Sequence, residues 1–289
     1  MVSFAVTASI SAAFAIAQSH IGLTSESSIR GIGLTSHANS AALYFLVAFI
    51  FLYHLRNTTS NRTLRLLTLP AIGLIVLGIA STVSRTAFLV FQLMLLLLLL
   101  SSLHNESVRS TFLPVLLAIV AAMFLIPTQY WTVVSGIPNS ILAGTDSAGF
   151  RFMQWRAAAE LFASSPITGR GIGQFIKSAH FSGLGVFPFY GLGYEAHSMY
   201  IGLLAETGTI GFLLFALMTG SSMRHLFTII KLKTQENSNL AFAWLFVIVA
   251  VLLLSTTGSF QFNKLIWIAF GASSLSASRA TVNYSERTK

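Results

Sequence analysis

The stretch LLTLPAIGLIVLGIASTVSRTAFLVFQLMLLLLLLSSL, residues 66–103, decides the fold, because it is almost wholly apolar and holds a single charged side chain, Arg85. An apolar run stands on each side of Ser84 and Arg85. Each run approaches the roughly 20 residues that an α-helix needs to cross a bilayer. An arginine between two such runs is costly unless it faces a polar cavity. The stretch therefore predicts two membrane helices joined by a tight turn, with Arg85 as a candidate functional cation.

The composition of the whole chain agrees with a membrane protein. Of the 289 residues, 54% are apolar and 9% are charged, whereas soluble domains carry about 25% charged residues. The chain has no cysteine, which excludes thiol catalysis, iron–sulfur clusters and Cys-ligated zinc. In such a protein the net charge of +9 reports topology and contact with anionic lipid, so no nucleic-acid partner is predicted.

Eight apolar runs along the sequence predict the architecture. We expect an all-α, polytopic membrane protein with about eight transmembrane helices and one long external loop that contains short surface helices. The runs fall at residues 2–17, 41–55, 66–83, 86–103, 111–128, 198–220, 240–257 and 264–278.

The distribution of lysine and arginine predicts the orientation. Outside the one long loop, most of these residues fall on the side that would hold the N-terminus, and cytoplasmic loops are the positive ones. The external segments are then 19–40 and 130–196. We divide the single membrane domain into N-terminal helices (1–129), the loop (130–196), and C-terminal helices with a cytoplasmic tail (197–289).

Two features of the long loop are open to interpretation. Phe152, Trp155 and Phe162 recur at helical spacing, which predicts an amphipathic helix on the outer membrane surface. Further on, the glycines at 169, 171 and 173 could form a backbone nest for a phosphate. Equally, they could form a flexible turn after Pro166.

A histidine marks the start of the sixth apolar run. If the helix is regular from His197, then Gly208 and Gly211 lie on the same stripe, where glycines allow another helix to approach closely. His197 could be an interfacial histidine with a satisfied ring, or a base beside a bound anion. Glu206 lies about half a turn out of phase with His197 by helical geometry, so we interpret it as structural.

Three arginines are candidates for an anion site on the same face of the membrane. Arg30 and Arg151 lie in external segments and Arg85 at the tight turn, and guanidinium groups bind phosphate oxygens through paired hydrogen bonds. Each could instead be a headgroup anchor. Asp146 is the only aspartate, and no two histidines have metal-ligand spacing, so we predict neither a metal nor a cofactor.

These residues resemble motifs of the O-antigen ligase and polymerase family. That family's signature is His, then Asn, Ser or Gln, nine residues, Gly, two residues, then Gly, Thr or Tyr. In this chain His197, Ser198, Gly208 and Gly211 stand at the matching positions.

Other parts of the chain add to the resemblance, which covers residues 28–220. Ser84 with Arg85, Arg30 with Gly31, and Arg151 with Trp155 are similar to further family motifs. Family members commonly have more helices before the Arg-Gly stretch, so we expect an N-terminally shortened member.

The resemblance implies a metal-independent, inverting glycosyltransferase in the bacterial inner membrane, with its active site facing the periplasm or the cell exterior. The donor would be a glycan on a polyprenyl diphosphate. The acceptor would be a saccharide or lipid-linked saccharide. Carried over by position, Arg30, Arg85 and Arg151 would bind the donor diphosphate and His197 would be the general base.

Two alternatives remain open from the sequence. A transporter or flippase could bind the same lipid without transferring the glycan, using the arginines and the intramembrane Glu206 for an anion or proton pathway. The chain could also be an inactive fragment that inserts into the membrane but catalyses nothing.

Overall fold

The computed structural model describes residues 1–21, 30–104, 106–123, 147–175, 195–231 and 235–272. Within these ranges all regular secondary structure is helical, which confirms the predicted all-α class. The helices are α1 (Val2–Ile21), α2 (Ala38–Thr58), α3 (Arg62–Ser81), α4 (Arg85–His104), α5 (Glu106–Met123), α6 (Ser147–Ser164), α7 (Met199–Lys231), α8 (Gln235–Leu254) and α9 (264–272).

Four of the described helices are long and apolar enough to cross a membrane, namely α1, α2, α3 and α7. The apolar parts of α4, α5 and α8 are shorter, at Arg85–Leu100, Arg109–Ala121 and Ser238–Leu254. The protein is therefore a helical membrane protein, and the eight crossings remain a prediction. Of the predicted external loop, residues 130–146 and 176–194 lie outside the described residues.

The first helix has two opposite faces that explain its position. Ala5, Ala8, Ala12 and Ala15 are buried at helical spacing, and they face α2 and α3. A Cβ atom added to Gly78 of α3 would lie within 3.0 Å of Ala12. Small residues on both helices therefore let the backbones approach closely, which is how helices associate in lipid. The other face is apolar and exposed, with Val2, Val6, Ile10 and Phe14.

The second helix is the centre of the bundle, in contact with α1, α3, α4, α5 and α8. Aromatic rings hold it to its neighbours edge to face. The ring centroids of Phe49 and Phe91 are 5.0 Å apart, and those of Phe51 and Trp244 are 5.3 Å apart. Because α2 is enclosed on most sides, its N-terminal turn has a well-defined position at one end of the bundle.

The seventh helix departs from the regular geometry expected of residues 198–220. Its backbone is non-helical at Gly208, with φ 63° and ψ −166°, and helix resumes directly afterwards. The predicted stripe of His197, Gly208 and Gly211 therefore does not exist, and the two glycines do not face another helix. The prediction was wrong because the helix was assumed to be continuous across a residue that adopts left-handed φ without steric cost.

Candidate active site

The segment that carries Arg30 is held against α1 and α3. Gly31 donates its backbone N–H to Ser81 O at 2.8 Å, and a Cβ there would lie within 3.0 Å of the Ala15 carbonyl. Gln18 Oε1 accepts hydrogen bonds from the amides of Ile32 and Gly33 at 3.1 and 2.8 Å. Only glycine fits at position 31. This close contact fixes the position of the neighbouring Arg30 backbone along α1 and α3.

Arg30 meets the turn between α3 and α4. Its Nε donates to Thr82 O at 3.0 Å and its Nη2 donates to Asn39 Oδ1 at 3.3 Å. The hydroxyl of Ser84 donates to the same Asn39 oxygen at 3.1 Å. Asn39 therefore joins Arg30 to the Ser84–Arg85 turn. The sequence interpretation gave Asn39 no role. Its position in the first turn of α2, nine residues after Arg30, is the feature of the sequence that points to this contact.

The turn itself contains an unusual backbone conformation. Val83 has φ 51°, the left-handed region that a β-branched residue rarely adopts. Thr82 stabilises the end of α3 through a hydrogen bond from its hydroxyl to Ile79 O at 2.7 Å. Helix α4 starts directly at Arg85, whose side chain is exposed. The tight turn that the sequence predicted is thus present, and it presents the guanidinium at the end of the bundle.

A second set of hydrogen bonds links this turn to His197. The hydroxyls of Thr86 and Thr257 are 2.7 Å apart. In the same turn after α8, the carbonyls of Ser255 and Gly258 accept hydrogen bonds from Met199 N, the first residue of α7, at 2.9 and 3.0 Å. The elements that carry Arg30, Arg85 and His197 therefore meet at one end of the bundle.

His197 stands just before α7 in a left-handed conformation, with φ 49°, and is partly buried. Such a conformation costs about 1–3 kcal/mol in a non-glycine residue and persists only where the surroundings impose it. The double hydrogen bond to the amide of Met199, two residues later, is one such constraint. The backbone position of His197 is thus determined by the fold around it.

The break in α7 is filled by the segment that follows α6. A continuous helix would pair the amides of Thr209 and Ile210 with the carbonyls of Ala205 and Glu206. Instead, these four backbone groups bond to the loop. Thr209 N donates to Pro166 O at 2.8 Å, Ile210 N to Ile167 O at 3.2 Å, Arg170 N to Ala205 O at 3.0 Å, and Gly171 N to Glu206 O at 2.8 Å.

Two glycines make this close approach possible. A Cβ at Gly169 would lie within 3.0 Å of the Glu206 carbonyl, and a Cβ at Gly208 within 3.0 Å of the Ile167 carbonyl. Glycine is required at position 211 for a different reason, because a Cβ added there would collide with the side chain of Thr207. The glycines of the motif therefore accommodate a loop and a threonine.

The same contacts decide the role of the glycine-rich turn. The amides of Gly169, Arg170 and Gly171 donate to carbonyls of Ser165, Ala205 and Glu206, respectively. Amides that are already paired with carbonyls cannot form a nest for a phosphate. The nest interpretation was therefore wrong, and the turn serves to join the segment after α6 to α7.

Arg151 lies on α6, which packs against α7. The helix predicted from the spacing of Phe152, Trp155 and Phe162 is present. Its buried face consists of Gln154, Ala157, Ala158 and Leu161, whereas Phe152 of the predicted aromatic stripe is 68% exposed. Ala158 and Leu161 form a small core with Ala196, Ala205 and Phe175. Arg151 is thus on a helix fixed against the residues on either side of His197.

Two carboxylates lie close to His197 in the chain. Glu206 is 3% exposed and accepts a hydrogen bond from Phe175 N at 3.1 Å, so it is structural, as we interpreted it. Burial raises the pKa of the Glu195 carboxyl above its ordinary value; His37 acts in the opposite direction, and Glu206 adds to the increase. His37 is therefore an electrostatic neighbour of Glu195, and the sequence interpretation gave His37 no role.

The site as a whole favours an anion. Three helices, α2, α4 and α7, begin at this end of the bundle, and the hydrogen bonds through Asn39, Thr86 and Met199 connect these starts. Helix N-termini carry a partial positive charge and bind anions. Arg30 and Arg85 add two guanidinium groups at the same end of the protein.

Comparison with known proteins identifies the family. The family model described as O-antigen ligase matches residues 70–216, which include Arg85, Arg151 and His197 and run from α3 into α7. Among curated proteins, none matches the chain. The matched range contains the glycine-dependent joint between α7 and the loop. The chain therefore belongs to the O-antigen ligase family and is an integral membrane protein with activity of the O-antigen ligase or polymerase type.

Proposed function

We propose that this protein transfers a glycan from a polyprenyl diphosphate to a saccharide or lipid-linked saccharide acceptor, with inversion and without a metal. The reaction would take place at the periplasmic face of the bacterial inner membrane. The observation that carries the proposal is the meeting of Arg30, the Ser84–Arg85 turn and the start of α7 at one end of the bundle.

In the proposed reaction, the acceptor hydroxyl oxygen attacks the anomeric carbon of the donor sugar from the face opposite the diphosphate. The new C–O bond forms while the bond to the diphosphate oxygen breaks, which inverts the anomeric carbon. His197 takes the hydroxyl proton. The diphosphate leaves with the bonding electron pair, and Arg30, Arg85 and Arg151 bind its negative charge.

The fold supports these roles in two ways. The helix starts at α2, α4 and α7 and the arginines supply positive charge without a metal ion. The backbone of His197 is held by its surroundings, which fixes the imidazole relative to the bound diphosphate and reduces the entropy lost on reaching the transition state.

The variant H197A tests the proposal. We expect transfer from undecaprenyl-diphosphate-linked glycan in purified membranes to fall by about 10²- to 10⁴-fold, the range for loss of a general base. The matched control is H225A, because His225 lies on the same helix with an exposed side chain. H225A should transfer at the native rate, and both variants should retain the native Tm. Addition of a chelator should leave the rate unchanged.

Three results would contradict the proposal. Near-native transfer by H197A would remove the general base. Loss of activity on chelation that magnesium restores would show a metal-dependent reaction. Movement of the labelled lipid across vesicles without any covalent product would indicate a transporter.

A further inference from the structure

Buried polar atoms that lack a hydrogen-bond partner are concentrated around the start of α7. Among the described residues, most side chains with such atoms lie on either side of this helix start; they are Gln154, Trp155, Ser255, Ser259 and Gln261. Buried polar groups are normally paired, and an unpaired one costs free energy. A group of them beside one helix start therefore indicates a binding site, at which a ligand would supply the missing hydrogen bonds.

Gln154 lies on the α6 side of this place. It is 0% exposed, and both its Oε1 and its Nε2 lack a partner among the described residues. In a helix, residues three and four apart share a face, so Gln154 lies between Arg151 and Ala158. Ala158 packs against Ala196 and Ala205. Gln154 therefore faces the start of α7, one helical turn from Arg151.

Gln261 lies on the other side, in the turn between α8 and α9. It is 8% exposed, and its Oε1 is unpaired within the described part of the chain. Its Nε2 would lie 3.3 Å from a Cβ at Gly202, one turn into α7. The side chain of Ser255, 0% exposed and also unpaired there, is close by, because Ser255 O accepts from Met199 N. Two amides thus flank the first two turns of α7.

We propose that Gln154 and Gln261, with the hydroxyls of Ser255 and Ser259, form the subsite for the hydroxyl groups of a neutral saccharide. The assignment rests on the proposed function. Amide and hydroxyl groups both donate and accept, as sugar hydroxyls do, whereas the diphosphate is matched by the arginines. Gln154 lies on α6 between Arg151 and Ala158, and Ala158 packs beside Ala196, the neighbour of His197. The subsite therefore holds the sugar that is attached to the bound diphosphate.

Entry of the sugar requires a small shift of α6 away from α7. Next to Gln154 the contact is made by Ala158 with Ala196 and Ala205, whereas the larger Leu161 of the same core lies further along α6. Small side chains interdigitate little, so this contact separates at lower cost than one between large side chains. The unpaired amides then form hydrogen bonds with the sugar, which offset the loss of the contact between α6 and α7.

The near-isosteric variants Q154M and Q261M test the subsite. The measurement is the Kd of the full-length protein for two probes, undecaprenyl diphosphate carrying an N-acetylhexosamine and bare undecaprenyl diphosphate. We expect each variant to bind the glycosylated lipid about tenfold more weakly, as for loss of one hydrogen bond to a ligand. Binding of the bare lipid should not change, and the Tm should stay the same or rise, because an unpaired buried group is removed.

The matched control is T219V, which removes another buried, unpaired hydroxyl from the distant half of α7. It should raise the Tm in the same way and leave the affinity for both lipids unchanged. Unchanged binding of the glycosylated lipid by Q154M and Q261M would overturn the subsite, and so would equal weakening for both lipids. A native protein that binds the glycosylated lipid more tightly than the bare one but transfers nothing would refute the proposed function and leave the subsite standing.

Discussion

At the scale of a single residue, the surroundings of Glu195 change the pKa of its carboxyl group. Its pKa is raised by burial and by Glu206, against the effect of His37. The folded protein therefore binds the Glu195 proton more tightly than the unfolded chain does. The stability from this difference is fully present below the ordinary pKa of 4.5 and is lost as the pH rises through the raised value.

The variant E195Q should remove this pH dependence. The difference in Tm between E195Q and the native protein should grow in favour of E195Q as the pH rises from 4.5 through the raised pKa, and then level off. Thermal unfolding in detergent from about pH 4 to pH 8 measures it. Parallel curves for the two proteins over this range would show that Glu195 has no raised pKa in the folded state.

Val83 and His197 show a second feature at this scale, since they are the two described non-glycine residues with positive φ. Val83 precedes Arg85 by two positions, and His197 is itself the proposed general base. Strained conformations persist where neighbouring structure imposes them, and they cluster at functional sites. Their positions agree with a site assembled from the turn before α4 and the start of α7.

At the scale of one element, α7 depends on glycine at its break. Alanine at Gly208 would place a side chain in a left-handed conformation and within 3.0 Å of the Ile167 carbonyl. We expect G208A to lower the stability by about 2 kcal/mol or more. Because the loop after α6 could no longer pair with the open backbone groups of α7, transfer activity should fall as well. Thermal unfolding and a transfer assay measure the two effects.

Gly220 offers the matched control on the same helix. No atom lies within 4 Å of a Cβ built there, and alanine is favoured over glycine in a helix by up to about 1 kcal/mol. G220A should therefore be neutral or slightly stabilising and fully active. If G208A unfolded at the same temperature as G220A, the close contact between the loop and α7 would not matter to the fold.

Element α7 also shows what a periodic pattern can and cannot predict. The apolar run at 198–220 predicted the helix, and its start was confirmed, whereas its end lies further along the chain at Lys231. The break at Gly208 could not be read from the run, because its cause is the loop at Pro166–Gly171, about 40 residues earlier in the chain. The free energy that stabilises the break comes from hydrogen bonds between the two segments. A pattern within one segment does not show such contacts.

At the scale of the whole molecule, the proposed site requires one orientation in the membrane. Because α2 is long and apolar enough to cross the membrane, we expect its two ends on opposite sides of the membrane. Ser36 lies before its start and Ser60 after its end, and both residues are exposed. The native chain has no cysteine, so single-cysteine variants need no background correction. We expect a membrane-impermeant thiol reagent to label S36C in cells with a permeable outer membrane and to leave S60C unlabelled until the inner membrane is opened.

Labelling of S60C in the intact inner membrane, with S36C protected, would reverse the orientation. It would place Arg30 and His197 in the cytoplasm and thus contradict a periplasmic reaction. The assay is independent of catalysis, because labelling reports only whether the introduced thiol can be reached from one side of the membrane. It therefore tests the topology even if the transfer reaction were different.

The membrane class, the existence of α1 to α8, the tight turn at Arg85 and the family motif around His197 were determined by the sequence itself. These features depend on runs of apolar side chains and on local spacing, which act within one element. The tertiary structure decided that Asn39 joins Arg30 to the Ser84–Arg85 turn, that Gly208 receives a loop, and that Gln154 and Gln261 flank one helix start. Each of these is a contact between residues far apart in the chain, so its energy arises only when the helices have packed.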